Sequence, residues 1–488
     1  MNDNRESVFI DIKDEQLNNV NSKKPRKLLV VVLCVLFLFV GFTGGCIFTY
    51  FVHPVNKADT TNTFGEIEAL LENYWIYSNE YEDLQSALED KAFYGMTAFE
   101  NDPYTTYMSA EELNDFANNI NMDYVGIGVL YSMNNDKALI ERVFVESPAE
   151  KAGLKPGDII EAVDGISIEG LTSEDIKNLV LGEEGSKVVI SVTRNNNKLD
   201  FSVTRSPIDS SVYCYAENNY VVMELSSFGN TTGKECMNYL DKYTSYDRII
   251  IDLRSNTGGY QTSVKEIAGL FIGNDKVYLR QVDSKGNVTA DLTSCSKTYD
   301  NFKKYVLLVN SETASAAEVF AICLKEQLAD VTIVGETTYG KGVIQSTNYL
   351  SNGGVLKFTT FNWYSPNGVS IQNIGIKPDV EVRLSDIAYD YYVEIEENQK
   401  LEYDMVSDIV RICQEGLEFL GYKVDRKDGY FDLSFENALK QYKIDNNFEE
   451  DGVLDEKTYQ SIISNSISKL SDKNSDYQFI KAIEIVNQ

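Results

Sequence analysis

The chain begins polar and of mixed charge over residues 1–22, after which Lys23, Lys24, Arg26 and Lys27 abut an apolar run without a charge, Leu28 to Val52. Coiled as a helix, such a run crosses about 30 Å of hydrocarbon. Its basic flank predicts that residues 1–27 stay in the cytoplasm, with everything after His53 outside. A cleaved signal peptide competes with this reading, but the run is long for one and no A-x-A site follows. A retained single-pass anchor at 28–52 is expected. Residues 60–118 then place apolar positions at helical spacing in FGEIEALLENYWIY and LQSALEDKAFYGMTAF. Residues 206–385 alternate instead between strand and helix patterns: strand Tyr220 to Leu225, helix Thr232 to Tyr243, strand Arg248 to Leu253, strand Tyr305 to Val309. A helix from Ala316 to Leu328 follows, with Val319, Phe320, Cys323 and Leu324 as its stripe, then strands at Val331 to Val334 and Leu356 to Phe361. The run IIIDLR is apolar enough to lie centrally in a sheet. Residues 386–404, acidic and without glycine, read as a linker; 405–466 form a small helical unit, and 467–488 read as a polar tail.

Composition narrows the chemistry. At 488 residues there is room for about three domains. A net charge of −31 argues against nucleic acid as a partner, since its binders present basic surface. Seven cysteines without CxxC or regular spacing offer neither a disulfide framework nor a metal site. The chain has one histidine, His53, at the edge of the apolar run. That argues against a Ser-His-Asp or Cys-His arrangement and against zinc sites that need two histidines.

The stretch that carries chemistry runs from Val309 to Gln345. Thr313-Ala314-Ser315-Ala316-Ala317 is a small-residue turn between a strand and a helix, where a serine is exposed and free helix N–H groups point at whatever it attacks. Without histidine, its base would be a lysine, held neutral by desolvation. Lys341, between Gly340 and Gly342 beside an apolar strand, suits such burial. Two plainer readings compete. A serine at a helix start is more often an N-cap than a nucleophile. Gly335 to Lys341 also matches most of G-x-x-x-x-G-K, but Gly342 stands where Ser or Thr would hold magnesium, and a β-rich run follows where a helix is needed.

TASAAE followed by YGKGVIQ resembles the active site of the C-terminal processing peptidases, serine endopeptidases with a Ser/Lys dyad. The resemblance implies Ser315 as nucleophile, Lys341 as base and Gln345 as the residue orienting that base. The Ser-to-Lys spacing is one residue longer than the family pattern, and the extra residue is placed in the turn before Val331. Ala317 stands where the family usually has Ser. Arg254-Ser-Asn-Thr-Gly258-Gly259 resembles the family's DLRxNPGG turn, with Thr257 for Pro; with the N–H of Ala316, the Gly258/Gly259 backbone is the implied oxyanion hole. Tyr364-Ser-Pro-Asn-Gly368 through Gly375-Ile-Lys-Pro-Asp379 resembles the closing segment, and Asp102 to Met108 the family's DPYSTYM-like segment. Between them, residues 119–205 resemble a PDZ domain, with Val125-Gly126-Ile127-Gly128-Val129 as the loop and strand that receive a peptide's C-terminal carboxylate. Leu181 stands where the related peptidases often have the Arg that couples peptide binding to activation. Asp428-Gly-Tyr-Phe431 and Asp451-Gly-Val-Leu454 resemble the paired turns of peptidoglycan-binding modules, whose aromatics here are Tyr422, Tyr430, Phe431 and Tyr442, more of them expected in the core than on a ligand.

The expected architecture is multidomain α+β: a transmembrane helix, a helical segment, a PDZ β-domain, an α/β (crotonase-like) peptidase core and a small helical C-terminal module. The expected function is a membrane-anchored extracytoplasmic serine endopeptidase that recognises protein C-termini. The resemblance also implies a homodimer, and peptidoglycan is a further expected partner; no metal or other cofactor is expected. A catalytically silent PDZ and wall-binding scaffold is the alternative.

Overall fold

The computed structural model describes residues 63–488 apart from 122–123, 135–136, 195–196, 209–210, 390–394 and 396–398. The expected anchor at 28–52 lies outside these residues, and no helix among those described is long and apolar enough to cross a membrane. Contacts divide the chain after Ala92. The first unit holds the Thr63–Tyr74 helix, a 3-10 turn at Ser78–Glu80, and the beginning of the Leu84–Thr97 helix. Phe64, Ile67, Leu70 and Tyr74 of its first helix are exposed.

The second unit is built round a sheet whose strands lie in the order Val212–Glu217, Tyr220–Leu225, Arg248–Asp252, Lys304–Val309, Val331–Gly335, Val380–Glu381. Only the first pair is antiparallel. Parallel strands covered on both faces read as unbroken apolar runs, and Ile249, Ile250 and Ile251 are all fully buried. On one face, the Gln261–Ile272 and Ala316–Gln327 helices pack Val264, Ile267, Phe320 and Cys323 against Ile249, Ile251, Leu307 and Ile333. The Ala316–Gln327 helix thus starts where its sequence pattern placed it.

The opposite face corrects the expectation of an uninformative tail at 467–488. Tyr220, Val222, Ile250, Val306, Leu308 and Val334 are covered by Phe479, Ala482, Ile485 and Val486 of a C-terminal helix, Tyr477–Val486. The apolar positions 479, 482, 485 and 486 follow helical spacing, which the polar flanks conceal. Asp476 caps this helix by accepting from the Phe479 N–H at 2.9 Å. Arg248 donates to the Val486 carbonyl at 2.9 Å, and Gln478 to that of Val382 at 2.9 Å.

A second sheet stands beside the first. Its central strand, Val355–Tyr364, is longer than the pattern suggested and pairs with Thr106–Met108, Val343–Tyr349 and Val277–Asp283. The DPYTTYM segment is therefore an edge of the sheet that carries Gln345. The PDZ region forms its own sheet, in the order Val129–Asn134, Lys137–Val143, Ile159–Val163, Lys187–Arg194, Asn197–Thr204, round a core that includes Ile127, Ile140, Ile160, Val188 and Ile190. The C-terminal module has three helices, Asp408–Leu420, Leu433–Asp445 and Glu456–Leu470. Its core takes in Ile387 and Leu401 of the expected linker and, from the PDZ sheet, Leu139 and Ile159. Lys137 and Glu456 pair across that junction at 2.6 Å.

Phe479→Ala is expected to destabilise the peptidase unit by about 3 kcal/mol, the usual cost of emptying a buried phenylalanine site. Chemical denaturation followed by the unit's own fluorescence would show it as an earlier transition. An unchanged curve would mean that the helix is not seated on the sheet.

Candidate active site

The strand Lys304–Val309 feeds a tight turn, and Ser315 closes it with φ 56° and ψ −118° immediately before the Ala316–Gln327 helix. A positive φ is costly for a residue with a Cβ and persists only where its surroundings enforce it. The enforcement comes largely from Glu318, one turn into the helix. Its carboxylate is fully buried and accepts from the N–H of Ser315 at 2.8 Å, of Gly340 at 2.7 Å and of Lys341 at 2.9 Å, as well as from the Thr338 hydroxyl. One side chain thus ties the serine turn to the lysine loop. Burial pushes its carboxyl above the usual range, against the hydrogen bonds from Thr338, Lys341, Gly340 and Ser315. The S-x-x-E spacing Ser315 to Glu318 was open to view as a capping-box signal; its link to residues 338–341 was not.

Lys341 reaches the same cleft. Its ammonium has no hydrogen-bond partner among the described residues and lies 4.5 Å above the Tyr104 ring. Burial brings its pKa down to about 8, with Lys357 adding to the depression and Glu318 opposing it. Ser315, Lys341, Gln345, Ala316, Gly258 and Gly259 all line a single cleft of 690 Å³. The structure therefore brings together every residue of the candidate peptidase site.

Two placements differ from expectation. Gln345 does not bond to Lys341; its amide donates to the Thr359 hydroxyl at 3.3 Å, and Thr359 donates to Asp102 at 3.0 Å. Pairing of the Val343–Tyr349 and Val355–Tyr364 strands sets Gln345 directly opposite Thr359, so the nearest partner is across the sheet. In the implied oxyanion hole, the N–H of Gly258 is taken by Asn256 Oδ1 at 2.9 Å. That leaves the N–H groups of Gly259 and Ala316 without an acceptor among the described residues. Gly258 is needed for its shape: its φ is 109°, and a Cβ there would come within 2.9 Å of both the Ser315 Cβ and the Ala316 nitrogen. At Gly259, a Cβ would meet the Phe228 carbonyl at 2.4 Å.

Arg254, which the motif reading included without giving it a role, fixes the base of that turn. It pairs with Asp252 at 2.6 Å and with Asp476 of the C-terminal helix at 2.7 Å. From the PDZ side Arg142 pairs with Glu224 at 2.7 Å, and both arginines line the cleft. The Gly335 to Lys341 loop leads into the strand Val343–Tyr349, so it lacks the helix that a phosphate-binding loop requires.

In the PDZ region, Val125–Gly126 pairs with Ser206–Pro207, and the carbonyls of Ile127 and Gly128 accept from Ala149 at 2.8 Å and Phe144 at 3.0 Å. The N–H groups of Ile127 and Gly128 donate to nothing among the described residues. Val129 begins the outermost strand of the sheet, whose outer edge is unpaired among the described residues. The Leu181 side chain packs on Gly126. In the C-terminal module Phe431 and Tyr442 are core residues, while the hydroxyls of Tyr422 and Tyr430 bond Asp445 at 2.9 Å and Asp404 at 2.6 Å.

The serine-bearing turn, the buried lysine and the adjoining glycine turn form the arrangement expected of a serine-type peptidase, beside a separate small β-sheet domain. Residues 219–382 match the model of Peptidase family S41, residues 139–194 that of a PDZ domain, and residues 406–462 that of a peptidoglycan-binding-type domain. The chain is 33% identical over 406 residues to the carboxy-terminal processing protease CtpA of Bacillus subtilis, covering 82% of this chain and 85% of that protein. It is 28% identical over 490 residues to a probable CtpA-like serine protease of Staphylococcus epidermidis, covering 97% and 98%. Among solved structures, the photosystem II D1 C-terminal processing protease aligns over 67% of this chain and 89% of its own at 24% identity, with a TM-score of 0.43. The chain belongs to Peptidase family S41, the carboxy-terminal processing proteases.

Glu318→Ala leaves several buried donors without an acceptor and releases the serine turn from the lysine loop. Peptidase activity is expected to fall about 100-fold, as small misplacements of reacting groups do, and a peptide-cleavage assay on folded variant would measure it. Activity within a few-fold of wild type would show that Glu318 is not what holds the two loops in register.

Proposed function

We propose that the chain is a membrane-anchored, extracytoplasmic endopeptidase that uses Ser315 and Lys341 to cut proteins presented through their C-termini. The observation that carries this reading is the pair itself: a serine held at positive φ and a lysine lowered to about 8 by burial, both lining one cleft. Neutral Lys341 takes the Ser315 proton as the hydroxyl attacks the scissile carbonyl. The N–H groups of Ala316 and Gly259 hold the oxyanion. Lys341 returns the proton to the leaving amine, and water, deprotonated by the same lysine, releases the acyl-enzyme. Gln345 acts within the Thr359–Asp102 chain.

The PDZ domain receives the substrate's C-terminal carboxylate at Ile127 and Gly128 and the preceding residues as an added strand along Val129–Asn134. Two of its own contacts support a link to the peptidase: Arg142 with Glu224, and Leu130 and Phe144 in the cleft wall. With Leu181 packed on Gly126, coupling runs through Arg142 rather than through the position the family usually uses. The charge-free run at 28–52 supports the anchor, the match at 406–462 supports attachment to peptidoglycan, and the exposed apolar side chains of the Thr63–Tyr74 helix support a homodimer.

Cleavage of a loosely folded protein with an apolar C-terminus, by the fragment from Thr60 onward, tests the dyad. Ser315→Ala and Lys341→Ala are each expected to abolish cleavage. Because the deprotonated lysine is the active form, the rate should climb with pH through about 8 and level off above it. A rate that falls over pH 7 to 9 would contradict a lysine base. A silent wild type whose silence survives deletion of residues 124–205 would favour a scaffold.

Chelation is a separate check. EDTA is expected to leave cleavage unchanged, and a loss that zinc restores would overturn the Ser/Lys mechanism.

A further inference from the structure

The chain as a whole carries a net charge of −31, yet its cleft is lined by Arg142, Arg254, Lys341 and Lys357 and, among the described residues, by no Asp or Glu. Three of these cations are accounted for. Arg142 is matched by Glu224, Arg254 by Asp252 and Asp476, and Lys341 is the proposed neutral base. Lys357 has no counter-ion among the described residues. Its ammonium lies 4.6 Å above the Phe116 ring, an attraction that lessens the cost of a desolvated cation without neutralising it. Burial depresses its pKa, and no carboxylate among the described residues opposes that.

Its position is fixed by the sheet. Lys357 lies opposite Thr347, and Gln345 opposite Thr359. Residues two apart on a strand project from the same face, about 7 Å from one another. Lys357 therefore stands one pair beyond Gln345 on the face that carries the candidate site, at the reach of a peptide side chain one or two residues from the scissile bond.

Resting on the Ser315/Lys341 reading of the cleft, we propose that Lys357 is a specificity-determining residue whose ammonium pairs with a carboxylate of the bound peptide. The carboxylate comes either from an Asp or Glu near the cut or from the free end of a chain cut close to its C-terminus. A charge-assisted pair in a partly dry cleft recognises its partner strongly, and the cation's present lack of a counter-ion is what the substrate would relieve.

The full chain, with Ser315→Ala alongside, would digest a pool of unfolded proteins, the cut sites being mapped by mass spectrometry. Cuts with Asp or Glu at one fixed flanking position should be enriched at least about threefold, a modest share of what one charged pair can discriminate. Lys357→Met, which keeps the length and loses the charge, should erase that enrichment relative to acid-free cuts in the same digest, and Lys357→Arg should keep it. No enrichment by the wild type at flanking or C-terminal acids, or enrichment that survives Lys357→Met, overturns the proposal. A second measurement reads binding rather than cleavage. Fluorescence anisotropy on the Ser315→Ala chain would compare a C-terminally amidated peptide bearing an internal Asp with an acid-free peptide ending in a free carboxylate. Adding Lys357→Met should weaken the relevant peptide about tenfold: the first if the carboxylate is a side chain, the second if it is the chain terminus. Equal affinities with and without Lys357 for both peptides would sink the idea. Cleavage that persists in Ser315→Ala would instead sink the nucleophile assignment, leaving Lys357 to be judged by the binding data.

Discussion

A buried carboxylate that accepts four hydrogen bonds constrains its surroundings more tightly than any apolar contact, because each donor it loses is left unpaired in a dry site. Glu318 is such a group. Three of its bonds go to backbone N–H groups, of Ser315, Gly340 and Lys341, so it fixes main chain on both sides of the cleft at once. The positive φ of Ser315 and the glycine-flanked loop of Lys341 are conformations that the chain would otherwise leave. The Glu318 carboxylate holds them in one frame. Glu318 also bears on the proposed base: its charge favours the protonated lysine, while burial and Lys357 favour the neutral one. The balance leaves Lys341 titrating near 8, close enough to neutrality to serve as a base.

Around this centre the ion pairs join parts that are far apart in sequence. Arg254, four residues before Gly258, is held by Asp252 at its own strand end and by Asp476 at the cap of the C-terminal helix. Arg142 of the PDZ sheet is held by Glu224, whose carboxyl is raised by burial and drawn back by Arg142. Breaking either pair strands a charge in a partly dry place, which is more costly than the intact pair is stabilising. The turn that offers the Gly259 N–H therefore depends on a helix more than 200 residues downstream.

Much of this was legible in the chain. The unbroken run IIIDLR reads as a central parallel strand, and the small residues Thr313 to Ala317 before an amphipathic stripe read as a strand-to-helix turn. The resemblance of TASAAE and YGKGVIQ to a known active site named Ser315, Lys341 and Gln345, and these side chains do line one cleft. What the sequence concealed was non-local. Nothing in the order of residues says that the hydroxyl of Thr359, 14 positions on, will sit opposite Gln345, or that Asn256 will occupy the Gly258 N–H. No local signal marks Lys357, which the pairing of Val343–Tyr349 and Val355–Tyr364 turns into the cleft. The last helix was missed for a different reason: its apolar positions make up one short run at the end of a polar stretch, and only the sheet face they cover makes them a core.

The arrangement of the C-terminal module bears on how such a peptidase could be switched. A ligand shifts a conformational balance only by its differential affinity for the two states. Here the PDZ sheet is engaged on two sides, by Glu224 of the peptidase and by the module that buries Leu139 and Ile159 in its own core. The module in turn continues into the helix that covers the peptidase sheet. Moving the PDZ domain as a rigid body would expose that shared apolar contact and separate Lys137 from Glu456, whereas a shift confined to the Val129–Asn134 edge and Arg142 would leave both intact. The peptide binding proposed along that edge strand is therefore better placed to act through Arg142 and Glu224 than through reorientation of the whole domain.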